Sequence, residues 1–117
     1  MSILIIDDNR DICDLILNIL LSEDLEATTC SNPLEAADII SRVKPKLIIT
    51  DMLMSGVDGR TLCQKIRADN ATKDIKIIMM SAHPDAKKES ENVGVDDFLA
   101  KPFEIDDLVN KVKNLLP

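Results

Sequence analysis

The chain has 117 residues, enough for one hydrophobic core and too few for a second domain, and its 45% hydrophobic and 30% charged residues are the balance of a soluble globular protein. Aromatics make up only 2%, so Ile, Leu, Val and Met must fill the interior. Asp and Glu total 21 against 14 Lys and Arg, and the resulting formal charge of -7 repels nucleic acid and anionic membrane surfaces, which argues against either as a direct ligand.

From the amino terminus, Ile3 to Ile6 form an apolar run without polar alternation, the pattern of a parallel strand covered on both faces, and Asp7 and Asp8 close it. Ile12, Leu15, Ile16, Ile19 and Leu20 then recur at helical spacing. Leu25 to Cys30 is a weaker strand candidate, expected near an edge. Pro33 suits a first helical position after Asn32, and Ala36, Ile39, Ile40 and Val43 supply the apolar face of that helix. Leu47 to Ile49 repeat the buried-strand pattern, with Asp51 just beyond. Asp58 and Gly59 open a shorter helix containing Leu62 and Ile66. Ile75 to Met80 predict another buried strand, followed by Ser81. The segment Asp85 to Val93 is polar except for Ala86 and Val93, so it should be the most loosely held helix, with Gly94 as its stop. Asp96 to Leu99 predict an edge strand, after which come Lys101 and Pro102. A last helical stripe runs through Ile105, Leu108, Val109, Val112, Leu115 and Leu116. Five strands alternating with five helices predict an α/β domain with a doubly wound parallel sheet and right-handed crossovers.

Cys13, Cys30 and Cys63 are far apart and in none of the spacings that bind zinc or form redox pairs, so they are expected to be small buried or half-buried hydrophobes in a reducing cytosol. The start MSILIIDD has no apolar core of a secretory signal, and no apolar run is long enough to span a bilayer, so the expected location is cytoplasmic.

Asp7, Asp8, Asp51, Ser81 and Lys101 all stand where an apolar run stops. In a sheet of this kind those positions gather in the crevice at the carboxyl edge of the strands, where ligands bind. Two carboxylates about 5 Å apart repel by roughly 3 kcal/mol at an effective dielectric of 20, so an acid cluster there calls for a cation. Oxygen ligands without His or Cys select a hard ion, and Mg2+ binds through a few carboxylates while completing its shell with water and phosphate oxygens. Asp7-Asp8-Asn9 as a mere helix cap is the plainer alternative, but capping leaves Asp51 and Lys101 unexplained.

An acidic pair after the first strand, Asp after the third, Ser after the fourth and Lys-Pro after the fifth make this chain resemble the receiver domain of two-component response regulators over nearly its whole length. DMLMSGVDG (Asp51 to Gly59) and GVDDFLAKPF (Gly94 to Phe103) are similar to that family's phosphorylation loop and terminal signature. The resemblance implies a flavodoxin-like (βα)5 fold with strand order 2-1-3-4-5 and a single receiver domain over residues 1–117. It implies Asp51 as phosphoacceptor, Mg2+ held by Asp7, Asp8, Asp51 and the backbone carbonyl of Leu53, and Lys101 and Ser81 on phosphoryl oxygens. It further implies Ser81 and Phe98 as a switch pair that remodels the surface of the fourth helix, fifth strand and fifth helix. The implied partners are a histidine kinase or histidine phosphotransfer protein as donor and an unknown downstream protein or output domain. No enzyme activity is implied beyond self-catalysed phosphoryl transfer and hydrolysis of the aspartyl phosphate.

Ser55 stands where many family members carry Pro, and Leu53 and His83 occupy variable positions flanking the site. His83 reads as a solvent-facing loop residue rather than a catalytic base. Two other chemistries fit less well. A haloacid-dehalogenase-like Mg2+ phosphohydrolase wants a second Asp where this chain has Asn9, and a flavin-binding module wants an anion-accepting loop where Asp7 and Asp8 would repel phosphate. A non-phosphorylated binding scaffold of the same fold remains the alternative against which the complete set of acids, hydroxyl and lysine argues.

Overall fold

The computed structural model describes residues 2–83 and 85–116. Met1 and Pro117, the ends of the expected domain, lie outside the described residues.

Strands and helices alternate as β1 (Ser2–Ile6), α1 (Arg10–Ser22), β2 (Glu26–Cys30), α2 (Ala36–Val43), β3 (Leu47–Asp51), α3 (Gly59–Ala68), β4 (Lys76–Ser81), α4 (Ala86–Glu91), β5 (Asp97–Ala100) and α5 (Ile105–Leu115). The five strands form one parallel sheet in the order β2-β1-β3-β4-β5, as expected for the flavodoxin-like fold, with the two weaker strands at its edges.

The unbroken apolar runs are explained by the two layers of helices. Ile3 and Ile5 of β1 face one core with Leu47, Ile49, Ile78 and Met80, and this core is closed by Cys13, Ile16 and Leu20 of α1 and by Leu108 and Val112 of α5. Leu4, Ile6, Ile48, Ile77 and Met79 face the other, closed by Ile40 of α2, Leu62 and Ile66 of α3 and Ala86 of α4. Side chains alternate along a strand, so one apolar strand serves both layers. The Cys13 thiol is fully enclosed and donates to the Asp7 carbonyl at 3.3 Å; burial first, then the charge of Asp7, pushes its pKa up to about 11.

Several local expectations are corrected. Leu15 and Ile105 are exposed rather than part of the buried stripes, because Cys13, Ile16 and Leu20 already define the inward face of α1 and Ile105 sits at the open start of α5. Pro33 does not begin α2 itself: it begins a 3-10 turn, Pro33–Glu35, capped by the Asn32 side chain, and α2 follows. Ser81 lies within β4 rather than after it. The polar helix is only six residues long and buries just Ala86 and Ser90; it ends at Glu91, before Gly94. Between β3 and α3 runs an antiparallel ribbon of Leu53–Met54 with Val57–Asp58, whose two-residue strands are too short to leave a sequence pattern.

Candidate functional site

The carboxyl ends of β1 and β3 place Asp7, Asp8 and Asp51 side by side. One carboxylate oxygen from each lies within 4.8 Å of the others, and Asp7 is fully buried. At that separation the Coulomb repulsion per pair is about 3 kcal/mol at an effective dielectric of 20. Lys101, just past the end of β5, offsets part of it: its Nζ lies 3.0 Å from Asp7 Oδ2 and 3.2 Å from Asp51 Oδ1. The pairing that brings Lys101 there is backbone-directed, since its N–H donates to the Ser81 carbonyl at 3.0 Å, continuing the β4–β5 ladder.

Burial pushes the pKa of Asp51 up; the Lys101 charge acts against this, while the Asp7 charge adds to it, and the net direction is upward. Burial on its own would lower the Lys101 pKa, but the hydrogen bond that its ammonium donates to Asp7 and the charges of Asp51 and Asp7 outweigh it, so the ammonium is held more firmly than usual. Asp8 is the most open of the three acids. A hydrogen bond from the Ser55 backbone N–H to Asp8 Oδ2, 2.9 Å long, keeps its pKa below the ordinary carboxylate value.

Helix capping and the acid cluster coexist. Asn9 caps α1 by accepting from the N–H groups of Asp11 and Ile12, while Asp7 Oδ1 accepts from the Asn9 N–H at 2.9 Å and leaves Oδ2 to Lys101. Ser81 is buried, and its Oγ accepts from the His83 N–H at 3.0 Å. His83 is exposed, as expected, and its Nδ1 accepts from the Asp85 N–H at 3.2 Å, so a short chain of bonds leads from Ser81 to the start of α4. Phe98 on β5 is half-buried against the core that contains Met79 and Ala86. Leu53 projects an exposed side chain from the ribbon.

Two features escaped sequence reasoning. Gly59 N–H donates to the Met52 carbonyl at 2.6 Å, and a Cβ at Gly59 would run into the backbone carbonyl of Asp51, so only glycine lets α3 begin this close to the site. Arg60 is the other. Its guanidinium grips Asp58, the cap of α3, and reaches Glu89 on α4 at 2.7 Å, tying the loop after Asp51 to the polar helix. A cavity of about 490 Å³ between the end of α2 and the loop before β4 shares no residue with the acid cluster and lies at the opposite edge of the sheet.

Residues 3–113 match the response regulator receiver domain. The chain belongs to that family. Among curated proteins, it is 32% identical over 117 residues to sporulation initiation phosphotransferase F of Bacillus subtilis, covering 98% of this chain and 93% of that protein. It is 33% identical to the DNA-binding dual master transcriptional regulator RpaA of Synechocystis, covering 97% of this chain but 48% of RpaA, so the chain spans about half the length of such relatives. Among solved structures, the signal receiver domain of a DNA-binding response regulator from Colwellia psychrerythraea superposes with a TM-score of 0.90 at 28% identity, covering 98% of this chain and 97% of that one. As a receiver domain of a two-component system, the chain has the acidic pocket at which such domains generally use Mg2+, and its family takes phosphoryl groups from histidine kinases or phosphotransfer proteins.

Proposed function

We propose that residues 1–117 form one receiver domain that accepts a phosphoryl group on Asp51 from a phosphohistidine of a histidine kinase or phosphotransfer protein. The observation that carries this reading is the convergence of three carboxylates within 4.8 Å, with the Lys101 ammonium bridging Asp7 and Asp51. A carboxylate oxygen of Asp51 attacks phosphorus in line, the P–N bond to the donor imidazole breaks as the P–O bond forms, and the imidazole leaves with the electron pair. Lys101 already sits on Asp51 Oδ1 and needs only a small movement to hold a phosphoryl oxygen. Ser81 supplies its hydroxyl proton to a second oxygen, since its Oγ is an acceptor from His83 and its own hydrogen is available to donate.

The donor set is all carboxylate oxygen, which fits a hard divalent cation, and Asp7, Asp8 and Asp51, together with the Leu53 backbone carbonyl, would hold Mg2+. When bound, the ion supplies charge neutralisation to the carboxylates and the phosphoryl oxygens. Drawing Ser81 toward the phosphoryl group pulls on the His83 N–H and through it on the start of α4, and Phe98 moves into the space released. The altered surface of α4, β5 and α5 then binds a downstream protein or output domain.

Intact-protein mass spectrometry after incubation with acetyl phosphate tests the reading. One phosphoryl group is expected on the chain with Mg2+, none with a chelator, and none on Asp51→Asn. Phosphorylation of the Asn variant, or no adduct on the parent chain with Mg2+, would overturn it.

A further inference from the structure

Ser55 and Gly56 form the two-residue turn of the ribbon in which Met54 pairs with Val57. Gly56 has φ 79, and among the described non-glycine residues only Asp24 and Lys44 have positive φ, so Ser55 does not. Negative then positive φ at the two central positions is the arrangement of a type II turn, whose first central position accommodates proline as readily as serine. What serine adds is a backbone N–H, and here that N–H reaches across 47 residues of sequence to Asp8 Oδ2 at 2.9 Å. Proline at this position would keep the turn and lose the donor.

We propose that the Ser55 backbone amide sets the affinity of this chain for its divalent cation, by holding one oxygen of Asp8 in competition with the ion. The proposal rests on the reading that Asp7, Asp8 and Asp51 hold Mg2+. A hydrogen bond to a carboxylate is strongest when that carboxylate keeps its full charge to itself. A cation on Asp8 draws on the same charge, so the amide stabilises the metal-free protein more than the metal-bound one. Mg2+ also demands near-ideal octahedral geometry, and a carboxylate fastened by one oxygen is less free to meet it. Both effects weaken binding. The bond also fastens the ribbon to Asp8, so an ion arriving at Asp8 loosens the loop that leads through Asp58 and Arg60 to Glu89 on α4.

Isothermal titration of MgCl2 into the metal-free full chain separates the possibilities. Ser55→Ala retains the amide and should bind within about twofold of the parent, whereas Ser55→Pro should bind about five- to tenfold more tightly. A proline variant that binds equally or more weakly overturns the proposal, as does an alanine variant as tight as the proline, which would assign the effect to the hydroxyl. Should the proline variant fail to fold, the Ser55 amide proton of the parent chain is a second readout by NMR. It should move upfield and exchange faster as Mg2+ is added, and an unchanged amide overturns the proposal. Asp8→Asn distinguishes the two levels. If the parent binds no Mg2+, or Asp8→Asn binds it equally well, the metal site and the proposal fall together; if binding needs Asp8 but ignores Ser55→Pro, the site stands and the proposal falls.

Discussion

Lys101 is the residue on which the balance of charge at the site depends. Its ammonium sits 3.0 Å from the fully buried Asp7 carboxylate and 3.2 Å from Asp51, so truncating it leaves an uncompensated buried charge. Lys101→Met should therefore lower metal-free stability by about 2 kcal/mol, less than for a fully enclosed pair because the ammonium keeps some contact with water. The sign with pH follows from the direction of its shift. A lysine raised above its ordinary 10.5 contributes stability that is complete below that pH and is lost as pH rises through the raised value. Urea unfolding followed by circular dichroism on both proteins checks this: the gap between them should be constant from neutral pH to about 10 and close at higher pH. A gap that widens with pH would contradict the assignment. The gathering of Asp7, Asp8, Asp51 and Lys101 was legible in the sequence because each stands where an apolar run stops. The amides of Ser55 and Gly59 were not, because a backbone donor has no side-chain identity and its partner is fixed only by the path of the loop.

Among the described α-helices, α4 is the shortest, with six residues, two of them buried, and no side-chain cap at its start. Its polar sequence announced this, since a helix without an apolar stripe has little to bury. The tie that compensates was not readable in advance: Arg60 and Glu89 are 29 positions apart and meet only because α3 and α4 lie side by side. The pair is part-exposed, so its contribution to global stability is small. Local opening of a marginal helix responds to energies of that size even where global unfolding does not. Arg60→Ala should thus leave the urea midpoint nearly unchanged while speeding amide hydrogen exchange in residues 86–91 about two- to threefold, with β1 and α1 unaffected. Equal acceleration throughout would mean that Arg60 supports the fold rather than α4. The misplaced expectations at Leu15 and Ile105 have a related cause, because helical periodicity identifies a stripe but neighbouring elements decide how wide a stripe is covered.

The architecture as a whole was the most legible level, since three apolar runs without polar alternation and two weaker strand candidates, separated by helical segments, admit few arrangements other than a doubly wound sheet. The same architecture concentrates three acids at one edge of a molecule already carrying a formal charge of -7, so cation binding should stabilise the fold. At ten times its dissociation constant Mg2+ should add about 1.4 kcal/mol, seen as a rise in melting temperature, and Asp8→Ala should abolish the rise. Equal stabilisation of both proteins would place the ion elsewhere. Whether the site places a phosphoryl group on Asp51 is decided by locating the adduct. After treatment with acetyl phosphate and Mg2+, borohydride reduces an aspartyl phosphate to homoserine, which peptide mass spectrometry can position. The expected result is homoserine at position 51 alone among the 21 acidic residues; homoserine at Asp7 or Asp8, or an unmodified Asp51 in a phosphorylated chain, would contradict it.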